Sequence, residues 1–389
     1  MEFLRNAEIF APEAMGRGDL LVCAGKIIRV GTEMPGFPSG FQVTETDLGG
    51  RRLIPGLIDA HLHLTGGGGE SGAKSRIPPL TLESLTRNGI TTVVGLLGTD
   101  AVTRSVADLL AVTRSLSEQG LSAYCHTGGY SLPPATLTGS VRSDIVHLDR
   151  VIGVGELAIS DHRSSQPTLD EILRIAADAH VAGMMTNKAG ILHLHLGDGI
   201  RGLGLVREAL VRAEIPARVY NPTHVNRRRA LFQEALELAD RGCTIDVTSF
   251  PVGRGEDAYA AGEALVSYLD SGLPPERITV SSDGGGCLPV FDSEGRLAAM
   301  EIGDSGSLVR TLSALLDAGQ PLERVLPAFT SSVARLLRMK EKGRIVSGAD
   351  ADLVVLDELG NVTDVMALGR WHVRDRKMVI RSVFSRGGE

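Results

Sequence analysis

Cysteine is scarce in this 389-residue sequence, and the four present, Cys23, Cys125, Cys243 and Cys287, lie far apart with no Cys-x-x-Cys pair. That spacing excludes a zinc ribbon and a disulfide scaffold and fits a reducing compartment. Basic runs are missing too. The longest is Arg227-Arg228-Arg229, and the formal net charge is −7, so there is no cationic face for nucleic acid. No stretch approaches the roughly 20 consecutive apolar residues of a membrane span. Met1 to Phe10 carries Glu2, Arg5 and Glu8, which leaves no apolar core for a signal peptide. The expectation is a cytoplasmic protein with neither nucleic acid nor membrane as a partner. What is there is ordinary for a globular chain with a substantial core, 43% apolar and 22% charged residues, and enough length for one large domain plus a smaller one.

Between Leu53 and about Met339, short apolar runs alternate with longer segments of helical period. The runs predict strands at Ile54–Leu64, Thr91–Leu97, Ser122–Thr127, Val151–Ile159, Ile191–Leu196, Ala217–Thr223, Cys243–Thr248 and Arg277–Ser282. The intervening segments include Arg104–Glu118, Leu169–Ala182, Gly204–Ala213, Arg229–Ala239 and Tyr259–Leu269, followed by Ser307–Asp317 and Leu322–Arg338. Thr168-Leu169-Asp170-Glu171 reads as a capping box. Eight such alternations predict an α/β fold of the (β/α)8 TIM-barrel type, with an open doubly wound sheet as the alternative. The ends read differently. Residues 18–48 and 343–382 carry strand-like runs broken by turn residues, and neither end has enough strands for a core of its own. Pairing the two gives a small β domain from residues 1–54 and 341–389, with the barrel domain at 55–340.

His61-Leu62-His63 closes the first predicted strand. Strand alternation puts both imidazoles on one face, and the C-terminal rim is where such barrels keep their sites. Alone, a His-x-His pair says little. His195 closes the fifth strand, His224 the sixth and Asp283 the eighth, each just before a loop. Imidazoles and a carboxylate gathered on one rim suit Zn²⁺ and related divalent ions.

These residues carry a resemblance. Pro55-Gly56-Leu57-Ile58-Asp59-Ala60-His61-Leu62-His63 resembles the opening motif of the amidohydrolase superfamily. Gly348-Ala349-Asp350-Ala351-Asp352-Leu353-Val354 is similar to that superfamily's return into a small β-sandwich. The match narrows to the isoaspartyl dipeptidases through His63-Leu64-Thr65-Gly66-Gly67-Gly68-Gly69-Glu70, Val93–Asp100, Ile159–Ser164, Pro222–Arg227 and Ser281-Ser282-Asp283-Gly284. The resemblance implies two zinc ions sharing a hydroxide, with His61 and His63 on the first ion, His195 and His224 on the second, and Asp283 beside the hydroxide. A metal lowers the pKa of bound water toward ~7. Asp283 can then take a proton during attack and deliver it to the departing amine. Tyr130 matches a family tyrosine placed to stabilise the oxyanion; read without the family, it is a loop aromatic beside Pro133 and Pro134.

Substrate contacts follow in the same way. Glu70 ends a glycine-rich loop and suits an α-ammonium, whereas a phosphate cradle would need a following Lys-Ser/Thr that the loop lacks. Arg163 and Arg227 follow the fourth and sixth strands, where their guanidinium forks suit carboxylates. Thr99 closes the second strand and resembles a further contact. One anion and two cations expect a small zwitterion with an extra carboxylate, as a β-aspartyl dipeptide is.

Two positions depart from the family pattern. Glu156 stands where relatives carry a carboxylated lysine bridging the metals, in an apolar strand where a carboxylate needs a partner. Lys188 precedes the fifth strand and faces the wrong rim to replace it. Cys287 stands where a substrate-contacting serine is the rule, and a thiol donates more weakly than a hydroxyl. The expected activity is metal-dependent hydrolysis of isoaspartyl dipeptides by a homo-oligomer. The alternatives are cyclic-amide opening, N-deacetylation, and a non-catalytic binding scaffold, which would tend to lose metal ligands that this chain retains.

Overall fold

The computed structural model describes residues 1–32, 34, 40, 42–253, 255–291 and 297–383; residues 384–389, part of the expected terminal domain, lie outside them. Six parallel strands run in chain order as one curled sheet: Leu57–Leu62, Ile90–Gly95, Ser122–Thr127, Val151–Ile159, Leu192–Leu196 and Tyr220–Thr223. Ile245–Thr248 and Ile278–Ser281 form a second parallel pair. Side chains and loops close the ring between the two groups. Asn221 Nδ2 donates to Thr244 O at 2.7 Å. On the other side Leu62 bridges Gly284, and Asp59 Oδ2 accepts from Ser282 Oγ at 2.5 Å. The result is a TIM-barrel-like α/β body. Among the described residues, no helix is long and apolar enough to cross a membrane.

The predicted first strand is two strands. Arg52–Pro55 belongs to the terminal sheet and Leu57–Leu62 to the barrel, broken at Gly56, where a Cβ would lie 2.1 Å from Thr91 Oγ1. The predicted helix at Leu322–Arg338 is three pieces, Leu322–Val325, a 3-10 turn Leu326–Phe329 and Ser331–Leu336. Pro327 cannot donate to the helical ladder. Thr168 does form its capping box with Glu171, at the start of the Leu169–Thr186 helix.

Both ends of the chain build one nine-stranded sheet. Glu2–Phe10, which the sequence pattern did not mark as a strand, pairs with Ala14–Cys23 and Arg52–Pro55; Arg52–Pro55 in turn pairs with Leu353–Leu356. Leu4, Ile9, Leu20, Leu53, Leu353 and Met366 share its buried core.

Lys342 pins this sheet to the barrel. Its Nζ stands 2.7 Å from Asp350 and 2.6 Å from Asp352 and donates to Ser122 Oγ at the foot of the third barrel strand. The lysine is buried, with 7% of its surface exposed, so Lys342→Met leaves the buried Asp352 without its counter-charge and Asp350 with Lys26 alone. A loss of roughly 3–5 kcal/mol is expected, read as a lower denaturant midpoint.

The barrel's two ends differ in polarity. At the foot, Ile58, Val94, Ile152 and Ile191 pack against Val333 and Leu336 of the Ser331–Leu336 helix. That apolar plug leaves the opposite rim as the open end.

Candidate metal centre

At the open rim the strands bring His61, His63, Glu156, His195, His224 and Asp283 together, all buried. His61 lies within its strand and His63 just past it; His224 and Asp283 follow their strands in left-handed backbone, at φ 61° and 53°. His61 Nε2 is 3.5 Å from Glu156 Oε2 and 3.4 Å from Asp283 Oδ1. His63 Nε2 is 3.4 Å from Glu156 Oε1 and 3.1 Å from Asp283 Oδ1. On the far side of Glu156 Oε2 stand His195 Nδ1 at 3.0 Å and His224 Nε2 at 3.5 Å.

These separations fit ligands around an ion better than a hydrogen-bonded cluster. Tetrahedral bonds of about 2.0–2.1 Å set neighbouring ligand atoms roughly 3.3–3.4 Å apart, whereas N–H···O bonds cluster near 2.9–3.0 Å. His61 Nε2, Glu156 Oε1 and Asp283 Oδ1 are buried and have no hydrogen-bond partner among the described residues, a costly arrangement unless a cation satisfies them. The ligand atoms fall into three overlapping sets: His61, His63 and Glu156; His61, His224 and Asp283; and Glu156, His195 and His224. Glu156 therefore stands between the two pairs of histidines.

The electrostatics agree. Burial opposes a charge on His61, but the adjacent Glu156 and Asp283 carboxylates outweigh it and raise the imidazole to about 9. Burial likewise works against Glu156, yet His61 and His195 hold it well below the usual carboxylate range. The pocket draws positive charge. His224 goes the other way, lowered to about 3 by burial first, which keeps its ring neutral as a ligand must be.

Hydrogen bonds behind the cluster fix which nitrogen each ring offers. His193 Nδ1 meets Asn221 Oδ1 at 2.6 Å, an acceptor, because the Asn221 amide donates elsewhere. His193 Nδ1 must carry its proton and Nε2 must accept from His61 Nδ1, at 2.8 Å. His61 Nε2 is left facing the carboxylates of Glu156 and Asp283. His224 Nδ1 rests on Thr248 Oγ1 at 2.8 Å. The sequence reading passed over His193, although His193-Leu194-His195 repeats the alternation of His61 and His63.

A cavity of about 850 Å³ opens above the cluster, and Glu70, Thr99, Tyr130, Arg163, Arg227 and Cys287 all line it. Thr99 Oγ1 donates to Glu70 Oε1 at 2.9 Å, and Arg163 Nη1 is 3.6 Å from the same oxygen. Arg227 donates to Leu196 O at 2.6 Å and pairs with Asp198 at 2.9 Å. Tyr130 OH lies 2.7 Å from His195 Nδ1, and burial, with Glu156 adding, raises the phenol so that it stays a donor. Burial first, then Glu70, pushes the Cys287 thiol up to about 11, so it is no ready nucleophile. Lys188 is held away from the site by the carbonyls of Ile145 and Leu148, at 2.5 and 2.8 Å.

Residues 52–388 match the amidohydrolase family. Over 98% of both chains, the fold matches a β-aspartyl dipeptidase from Fervidobacterium islandicum AW-1, solved in complex with β-Asp-Leu, at 41% identity and a TM-score of 0.92. More distant relatives include an imidazolonepropionase from Ruegeria sp., 24% identical over 80% of each chain. A deacetylase from Agrobacterium fabrum is 24% identical over 89% of this chain and 81% of its own.

Proposed function

The chain belongs to the amidohydrolase family and, within it, to the β-aspartyl dipeptidases, and from that premise we propose that it hydrolyses the isoaspartyl bond of small dipeptides with the help of divalent metal. The observation that carries this reading is the buried carboxylate of Glu156 between two pairs of histidines, with ligand-type atoms left unpartnered. Two zinc ions per subunit fit this set, His61 and His63 holding one, His195 and His224 the other, and Glu156 shared. Ions held there would lower the pKa of water toward ~7 and polarise a carbonyl.

The chain's own side chains supply the rest. Asp283, 3.1 Å from His63 Nε2, takes a proton from the attacking water and returns it to the amine nitrogen as the C–N bond breaks. Without that proton the amine would be a poor leaving group. Tyr130 donates to the oxygen that gains charge. Glu70 pairs with the α-ammonium of the aspartyl residue, held in place by Thr99. Arg163 and Arg227 receive the two carboxylates, and Cys287 faces the same space as a neutral group. In the same reading residues 1–54 with 341–389 form the small β-sandwich domain, 55–340 the (β/α)8 barrel, and the protein works in the cytoplasm as a homo-oligomer.

Purified protein given zinc is expected to release aspartate from β-Asp-Leu and to leave α-Asp-Leu intact, measured by chromatography of the free amino acids. Equal cleavage of the two removes the isoaspartyl assignment. Turnover of a hydantoin, dihydroorotate or N-acyl amino acid by a Glu70→Ala variant points instead to another amide hydrolysis.

A further inference from the structure

Asp161 has no part in the reaction just described, yet it touches both halves of the site. Its carboxylate is buried, 5% exposed. Oδ1 accepts from the Arg163 backbone amide at 2.7 Å and from Arg163 Nε at 3.0 Å. Oδ2 accepts from Arg163 Nη2 at 2.7 Å and lies 3.0 Å from His195 Nε2. Three groups lie near His195 Nε2: Asp161 Oδ2 at 3.0 Å, Tyr130 OH at 3.1 Å and Arg163 Nη2 at 3.3 Å. The guanidinium can only donate and the carboxylate can only accept, so Asp161, the nearest of the three, takes the proton on that nitrogen. His195 Nδ1 is then left with its lone pair toward Glu156 Oε2.

The chain makes room for this contact. Gly197 follows the His195 strand, and a Cβ there would lie 2.4 Å from the Cβ of Asp161. Ser160, just before Asp161, takes left-handed backbone at φ 51°, and its Oγ donates to Gly199 O at 2.8 Å. Two loops are thus locked so that one carboxylate reaches both partners. The same fork leaves Arg163 Nη1 turned toward Glu70, with the guanidinium 5.3 Å over the Tyr130 ring.

We propose that Asp161 is a positioning residue that couples the two functions of the site, fixing the ring of His195 for metal and the guanidinium of Arg163 for a substrate carboxylate. The inference rests on the dipeptidase reading for its substrate half and on the His195 geometry alone for its metal half. Metal affinity and substrate recognition are therefore linked through one side chain that touches neither ligand.

Two variants separate the roles. In Asp161→Ala both links are lost: chelator competition is expected to show one of two ions bound about 10- to 100-fold more weakly, and KM for β-Asp-Leu is expected to rise roughly tenfold. In Asp161→Asn, close to the same shape, the amide oxygen still accepts from His195 while the charge that held Arg163 is gone. That variant is expected to keep both ions within a few-fold of wild type while its KM rises as in the alanine variant. The visible spectrum of cobalt-loaded protein follows the ring independently, shifting for alanine and holding for asparagine. Two ions held at wild-type affinity in the alanine variant, or an unchanged KM in both, overturn the proposal. If wild-type protein fails to cleave β-Asp-Leu, the dipeptidase reading falls instead, and the chelator titrations still decide the His195 half.

Discussion

Replacing Glu156 with alanine is expected to empty the centre of metal and to lower turnover of β-Asp-Leu by on the order of 10³-fold or more. Glu156 is fully buried, and among the described residues it is the one carboxylate that faces His61, His63, His195 and His224 together. Its removal leaves both histidine pairs short of a ligand and of a negative charge. Metal per subunit, measured by mass spectrometry after desalting, should fall from two to less than one. A single tight ion, undiminished in the alanine variant, would end the bridging role. The same geometry predicts that neither metal content nor activity of the wild type changes when bicarbonate is stripped from the buffer. In the proposed centre the shared oxygens are those of a glutamate, and Lys188 is occupied with the Ile145 and Leu148 carbonyls.

The second large effect is expected at Asp283. Asp283→Asn keeps the size and one oxygen but cannot hold a proton in transit, so kcat should drop about 10²- to 10⁴-fold. KM should change little, because the residues proposed to grip the dipeptide, Glu70, Arg163 and Arg227, stay in the cavity lining unaltered. Steady-state kinetics alongside metal analysis separates this from metal loss. A fall in kcat that tracks the missing metal would assign Asp283 as a ligand only; full activity with metal retained would remove it from the proton path.

The barrel was legible in the sequence because its strands are buried on both faces and read as short apolar runs. The ends of those runs carried His61, His63, His195, His224 and Asp283. Glu156 was legible for the opposite reason, as an acid inside an apolar run. What sequence could not carry is what a side chain meets across the ring. His193 lies 28 residues from Asn221 and 132 from His61, and Asp161 lies 34 from His195; no local pattern records such pairings. The break at Gly56 was missed because Pro55 and Leu57 are apolar alike, although they serve different sheets. The antiparallel hairpin of Cys287–Phe291 with Leu297–Ile302 sits where the barrel pattern has already ended.

The strand Arg52–Pro55 pairs on one edge with Glu2–Phe10 and on the other with Leu353–Leu356. During synthesis the first neighbour is already present, while the second is still unwritten. At ~5–20 residues per second, the ribosome takes roughly 15–60 s to reach it. Throughout that interval a hydrophobic edge with unpaired backbone groups waits in the open, a template for contact with other nascent chains. Such long-range pairing also slows folding, since the loop it closes is almost the whole molecule. A chain released before residue 353 lacks the strand that pairs with this edge and is expected to aggregate more readily than the full chain, although its catalytic rim is already written.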